Sequence, residues 1–131
     1  MANRSTNNKG YQRIDRVAQL LKQQLATALL RAERELKTGF VTVSHVVVSK
    51  DLALARVYIT TLEDDEQAVL AVLKILNTEK RYFRHLIAQN MQLRVVPDLK
   101  FYYDETLENA QRINDKIYAF SHADQSKDHD D

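Results

Sequence analysis

Two short runs rich in β-branched residues, Val43–Val48 and Ala53–Thr61, lie on either side of Ser49-Lys50-Asp51-Leu52. Short polar side chains such as Ser and Asp hydrogen-bond nearby backbone and favour a turn, so the two runs predict an antiparallel β-hairpin. Apolar and polar positions alternate as in strands with one buried side. The predicted buried positions are Ser44, Val46, Val48, Ala53, Ala55, Val57 and Ile59, and the predicted outward positions are His45, Val47, Leu54, Arg56, Tyr58 and Thr60.

Apolar residues recur at the spacing of an amphipathic helix in three segments around the hairpin. The first segment is Tyr11–Leu36, and Gly39 after it is a natural residue for a left-handed helix cap. The second begins at the acids Glu63–Glu66, whose charge favours the positive end of a helix dipole. The third covers about Glu79–Met91, and a residue of Asn77-Thr78 is expected to cap its start.

A third strand and a last helix are predicted towards the end of the chain. Leu99, Phe101 and Tyr103 alternate onto one face after Pro97, which marks a loop. A further apolar stripe at helical spacing extends to Phe120 and predicts the last helix. Residues 121–131 are polar and acidic and predict a disordered tail, and residues 1–10 are expected to be flexible.

The predicted order is helix, strand, strand, helix, helix, strand, helix. Three strands with helices packed on one face form an α+β fold. Because crossovers between parallel strands are right-handed, the third strand is expected to lie parallel to one of the first two. This is the order of the type II KH domain, a nucleic-acid-binding fold, and ferredoxin-like folds come close to it. The order alone leaves both folds open, and we place this single domain at residues 11–120.

The charge of the chain is polarised, although its formal net charge is only +1. Residues 1–62 carry ten Lys or Arg and four Asp or Glu, whereas residues 105–131 carry three basic and seven acidic residues. An asymmetry of this kind is typical of a protein whose basic part meets a polyanion, and it also occurs as plain surface charge that favours solubility.

Several classes of protein are disfavoured by what the sequence lacks. No apolar run approaches the roughly 20 residues that span a bilayer, and the first ten residues do not resemble a signal peptide. The chain contains no cysteine. His45 and His85 are isolated from each other, and the acids Glu63–Glu66 are typical of a helix start rather than of catalysis. We expect a cytoplasmic protein that is not an enzyme and has no cofactor, metal site, small-molecule substrate or membrane partner.

Blocks of sequence resemble the ribosome-binding factor A family, bacterial assembly factors of the small ribosomal subunit. The resemblance covers roughly residues 11–118. Its motifs are Arg13-x-x-Arg16-Val17-Ala18, Val43-Ser44-x-Val46-x-Val48-Ser49-x-Asp51-Leu52-x-x-Ala55-Arg56-Val57-Tyr58-Ile59, the Phe83 and Leu86 spacing, Met91-x-Leu93-Arg94-x-x-Pro97-x-Leu99-x-Phe101-x-x-Asp104-x-Thr106-Leu107, and Arg112-Ile113.

The resemblance implies a monomeric KH-like domain that binds 16S rRNA in the free or immature 30S subunit. Members of the family bind transiently, help the 5′ end of this RNA to mature, matter most in the cold, and are not enzymes. KH domains clamp RNA with a Gly-x-x-Gly loop between two helices, and the family has Ala-x-Gly there. This chain has Glu79-Lys80-Arg81 at that bend, which leaves the geometry of the bend open and adds two cations.

Basic side chains are the candidate RNA contacts, because Lys and Arg release counterions from phosphates and Arg also binds phosphate through two hydrogen bonds. The candidates are Arg13, Arg16, Lys22, Lys50, Arg56, Lys80, Arg81, Arg84 and Arg94. Any one of them could equally be an ordinary solvated residue. The set Lys80, Arg81 and Arg84 within one helical turn is favoured, and reversing its charge is expected to weaken particle binding without lowering thermal stability.

Outward-facing Tyr58 allows two interpretations. It could stack on a base, but aromatic residues are common on sheet surfaces and that structural role is favoured. The alternative function for the whole chain is a protein-interaction or dimerising domain without RNA binding, which would use Val47, Leu54 and Tyr58 on the outward hairpin face. Binding that weakens with salt would favour the RNA-binding function.

Overall fold

The computed structural model describes residues 2–62, 65–91, 96–104 and 113–117. Its elements are α1 (Ala2–Glu35), β1 (Val41–Val48), β2 (Leu54–Thr61), α2 (Glu66–Thr78), α3 (Lys80–Asn90) and β3 (Asp98–Tyr103). Residues 113–117 are also helical. The order and the element types are those predicted for an α+β, KH-like fold, and this prediction is confirmed.

The three strands form one mixed sheet in the order β1-β2-β3. β1 is antiparallel to β2, as expected for a hairpin, and β3 is parallel to β2. The predicted parallel placement of the third strand is therefore confirmed, and β2 is its partner. The crossover through α2 and α3 brings the chain back so that β3 runs in the same direction as β2.

The core lies between one face of this sheet and the helices. Ala55, Val57 and Ile59 of β2 are buried with Leu99, Phe101 and Tyr103 of β3, as the alternation predicted. α1 contacts β1 and α3, while α2 and α3 contact β3, so all three helices pack on this side. The other face of the sheet, which we call the outer sheet face, carries the outward positions of the three strands.

The hairpin turn is held by its own side chains, as the polar composition predicted. Ser49 Oγ donates to Asp51 Oδ1 at 2.7 Å and accepts the Leu54 N–H at 3.0 Å, and Asp51 Oδ1 accepts the Ala53 N–H at 3.1 Å. Leu52 takes the left-handed conformation, with φ of 60°. The prediction that Ala53 is buried in the second strand is wrong. Because Asp51 binds its N–H, Ala53 belongs to the turn, and it is exposed.

A β-bulge lies at Ser44 of β1. Val43 is opposite Ile59 and His45 is opposite Tyr58, so Ser44 is an extra residue between two regular pairs. The Ser44 hydroxyl donates to the carboxylate of Asp104, which is 7% exposed. Beyond the bulge His45 is exposed on the outer sheet face, as predicted.

Both ends of α1 differ from the prediction. The helix begins at Ala2 rather than Tyr11, since no proline interrupts these residues and a single glycine costs a helix only about 1 kcal/mol. The flexibility of residues 1–10 stays a prediction. At the other end Lys37 takes the first left-handed conformation after the helix, with φ of 57°, and Gly39 follows with φ of 74°.

The predicted cap at Asn77-Thr78 is wrong, because α2 continues through both residues to Thr78. The Asn77 amide donates to the Phe101 carbonyl at 3.1 Å and accepts the Phe101 N–H at 2.9 Å. Asn114 binds the N–H and the C=O of Tyr103 in the same way, both at 2.8 Å. Two asparagines thus occupy the edge of β3 that faces away from β2. The remainder of the predicted last helix and the acidic tail lie outside the described residues.

Candidate RNA interface

Helices α2 and α3 are separated by a single residue, Glu79. The Glu79 N–H donates to the Ile75 carbonyl at 2.9 Å, and the Glu79 carbonyl accepts the Tyr82 N–H at 3.0 Å. Its backbone angles are φ −98° and ψ 26°. A negative φ is open to any residue, so this bend is built without a glycine. The sequence Glu79-Lys80-Arg81 is therefore compatible with the helix–helix junction of a KH-like fold.

Lys80 and Arg81 are exposed in the first turn of α3. No acidic residue lies in this turn, and Glu79 makes no side-chain capping hydrogen bond. Cations at a helix N-terminus oppose the helix dipole, so local stability does not explain their presence. The charges of the two side chains add to the positive end of the dipole, which makes this turn favourable for a phosphate group.

The position of this turn is fixed by Tyr82. Its hydroxyl donates to Glu35 Oε2 at 2.7 Å, and Glu35 also lies 3.9 Å from Arg31 Nε within α1. Burial, together with the hydrogen bond to the Glu35 carboxylate, raises the pKa of Tyr82 to about 12. Tyr82 therefore stays protonated at neutral pH and links the start of α3 to the end of α1.

Arg84 has a different environment from Lys80 and Arg81. Its Nη2 donates to the Val96 carbonyl at 3.1 Å, its Nη1 lies 3.3 Å from Asp98 Oδ1, and its Nε is buried without a hydrogen-bond partner among the described residues. The guanidinium thus holds the segment that leads into β3, at Val96 and Asp98, against α3. An RNA contact through Arg84 stays a prediction, and its observed contacts are structural.

The other predicted RNA contacts lie on separate elements. Arg13 and Arg16 are exposed one turn apart on α1, and Lys22 of the same helix is half-buried. Lys50 is exposed in the hairpin turn, and Arg56 is exposed on β2. Arg94 lies outside the described residues. The described candidates are thus divided among α1, the hairpin and α3, with Arg13 and Arg16 one turn apart on α1 and Lys80, Arg81 and Arg84 close together on α3.

The outer sheet face contains a set of residues that sequence reasoning did not assemble. His45, Tyr58 and Tyr102 are in register across the three strands. The rings of His45 and Tyr58 stack at 4.3 Å and 13°, and those of Tyr58 and Tyr102 at 5.5 Å and 26°. In the next row Arg56 is opposite Val47 and Lys100. The alternation in β3 was visible in the sequence, but the register that joins the strands was not.

The described residues contain neither a candidate metal centre nor a candidate membrane span. No group of three or more His, Cys, Asp or Glu converges there to hold a metal ion. No helix in the same ranges is long and apolar enough to cross a membrane.

Comparison with known proteins identifies the family. The family model described as ribosome-binding factor A matches residues 13–117, which is most of the chain and includes the hairpin, the α2–α3 junction and β3. The chain belongs to the ribosome-binding factor A family. The family resemblance that the sequence blocks indicated is thereby confirmed.

Individual relatives agree with this assignment to the ribosome-binding factor A family. The protein named ribosome-binding factor A from Shewanella sp. (strain ANA-3) is 39% identical over 119 residues, covering 91% of this chain and 82% of that protein. The crystal structure of ribosome-binding factor A from Thermus thermophilus is similar with a TM-score of 0.57 and 26% identity, over 69% of this chain and 94% of that one.

A third similar structure is a homology model of the Thermus thermophilus ribosome-binding factor A that was fitted into a cryo-electron microscopy map of a 30S complex with this factor. Its TM-score is 0.50 at 28% identity, and the match covers 66% of this chain and 93% of that one.

Proposed function

We propose that this protein is a non-catalytic assembly factor that binds the free or immature 30S subunit through 16S rRNA. In this role it assists late maturation of the subunit, including processing of the 5′ end of the RNA, and it acts as a monomer in the cytoplasm. The observation that carries the proposal is the cationic, acid-free first turn of α3 at the helix–helix junction of a KH-like family member.

The chemistry of this turn fits a phosphate backbone. Lys80 and Arg81 are exposed and no ion pair engages either of them among the described residues, so both charges are available to displace counterions from RNA. The dipole of α3 adds to their field. Support from a relative comes from the Thermus factor, whose homology model was fitted into a map of a 30S complex.

The first test is co-sedimentation of the purified protein with free 30S subunits over a series of salt concentrations. Replacing both cations (Lys80→Gln with Arg81→Gln) is expected to weaken binding roughly tenfold near 0.1 M salt, and the slope of log affinity against log salt is expected to fall by about 0.7–0.9 per lost phosphate contact. Thermal unfolding is expected to change little, because both side chains are exposed.

The matched control for this test is Lys74→Gln, which removes one charge from an exposed lysine of α2. It is to be compared with the single variant Lys80→Gln. Equal effects of the two variants would mean that only net charge matters and that the start of α3 is no contact. If the unaltered protein fails to sediment with 30S subunits at any salt concentration, the proposed function is wrong.

A further inference from the structure

An aromatic row crosses the whole outer sheet face. His45 of β1, Tyr58 of β2 and Tyr102 of β3 are stacked ring on ring, with centroid distances of 4.3 and 5.5 Å. His45 is exposed and the two tyrosines are half-buried. Core packing does not explain the row, because the helices pack on the opposite face against Ala55, Val57 and Ile59.

Cations lie next to this row. Arg56 is exposed one row away, in register with Lys100, and Lys50 is exposed in the turn of the same hairpin. The described carboxylates nearby are already engaged. Asp98 lies 3.3 Å from the Arg84 guanidinium, and Asp51 accepts hydrogen bonds from Ser49 and Ala53 within the turn. Arg56 therefore places an exposed positive charge one row from the aromatic rings.

On the other side of the row the sheet face is polar. Thr42 and Thr60 are paired across β1 and β2, with their hydroxyls 2.6 Å apart. The aromatic row thus has hydroxyls on one side and cations on the other. This arrangement matches an RNA strand, in which planar bases alternate with phosphates. Residues in neighbouring rows on one face of a strand lie about 6.6–6.8 Å apart. One nucleotide can span this distance, with its base at one row and its phosphate at the next.

We propose that the outer sheet face binds a single-stranded RNA segment, with a base stacked on the open face of the His45 ring, whose other face lies on Tyr58, and a phosphate at Arg56. The proposal rests on the proposed function and adds to it a second RNA-binding surface, separate from Lys80 and Arg81 and on the opposite side of the sheet from α3. Base–aromatic stacking needs an unpaired base, so a single strand fits this face and a duplex does not.

The proposal is tested with a fluorescein-labelled RNA decamer of mixed sequence and no secondary structure. Tyr58→Leu keeps an apolar strand residue but removes the ring that supports His45, and it is expected to weaken binding about 5- to 150-fold, the equivalent of roughly 1–3 kcal/mol for one stacked base. Tyr58→Phe keeps the ring and is expected to bind like the unaltered protein. Arg56→Gln is expected to lower the salt slope by about 0.7, and the control Lys74→Gln is expected to leave it unchanged.

Tyrosine fluorescence gives an independent signal, because the chain has six tyrosines and no tryptophan. Unlabelled decamer is expected to quench this emission in the unaltered protein and much less in Tyr58→Leu. Thermal unfolding of each variant shows whether it is folded. If Tyr58→Leu is unfolded, Arg56→Gln and the quenching of the unaltered protein decide the question.

The outcomes separate the two proposals. Binding to 30S subunits without any binding to the decamer, or equal decamer binding by Tyr58→Leu and Tyr58→Phe, overturns the sheet-face proposal and leaves the proposed function intact. Failure to bind both the subunits and the decamer overturns both. Self-association that Tyr58→Leu abolishes, in the absence of decamer binding, would assign the face to a dimer instead.

Discussion

Single side chains show that the members of the predicted cationic set have different environments. Lys80, Arg81 and Arg84 are close in sequence and share a positive charge, and no local pattern separates them. The structure leaves the first two exposed, whereas Arg84 reaches the Val96 carbonyl and Asp98. The exposed ion pair itself contributes little, so the structural role of Arg84 depends on its hydrogen bond to the backbone and on its packed stem.

Replacing Arg84 by Met is therefore expected to destabilise the protein by about 1–2 kcal/mol, because the Val96 carbonyl loses its partner while the apolar stem is kept. Urea unfolding followed by circular dichroism measures this change. Lys80→Met is the matched control and is expected to stay within about 0.5 kcal/mol of the unaltered protein. Equal stabilities of the two variants would show that the Arg84 contacts are not structural.

Asp51 gives a pH dependence at the residue scale. Its hydrogen bond from Ser49, followed by that from the Ala53 N–H, holds the pKa of the carboxyl below its usual value. A carboxyl whose pKa is lower in the folded than in the unfolded protein stabilises the fold at pH values above its unfolded pKa. This stabilisation is lost as the pH falls through the folded pKa. The unaltered protein is thus expected to be more stable than Asp51→Ala at neutral pH, and this difference is expected to shrink below about pH 4. Urea unfolding of both proteins at neutral pH and at about pH 3 checks this, and a difference that is independent of pH would contradict it.

At the scale of elements, the free edge of β3 is closed by two asparagines rather than by another strand. Asn77 and Asn114 each bind one N–H and one C=O of that edge, at Phe101 and Tyr103. An open edge invites pairing with another chain, so these amides both satisfy the backbone and protect the sheet. Sequence reasoning assigned Asn77 to a helix cap, because its contact with Phe101 joins residues that are distant in sequence.

Asn77→Ala is expected to lower the free energy of unfolding by about 1–3 kcal/mol, because it leaves a backbone N–H and a C=O at Phe101 without their partner. Asn90→Ala is the matched control, since Asn90 is exposed and donates only to the Leu86 carbonyl of its own helix. Chemical unfolding of both variants measures the difference. A loss of stability for Asn77→Ala no larger than that for Asn90→Ala would contradict this role.

For the whole molecule, the sheet divides the surface into two regions with different chemistry. On one side the helices cover the core and present Lys80 and Arg81 at the start of α3, and on the other side the strands present an aromatic row beside Arg56. A net charge of +1 does not reveal this division, because it is a sum over the whole chain and carries no information about position. These are the two surfaces at which we propose that RNA binds.

The sequence by itself determined the element types, their order, the buried faces of the second and third strands and the family. These follow from local periodicity, from turn chemistry at Ser49 and Asp51, and from blocks of residues that need no coordinates. Only the tertiary structure decided which residues meet across elements. The bulge at Ser44 sets His45 opposite Tyr58, and the crossover sets Tyr102 beside them. Strand register and the partners of Arg84 and Asn77 depend on contacts between distant parts of the chain, and local patterns carry no information about such contacts.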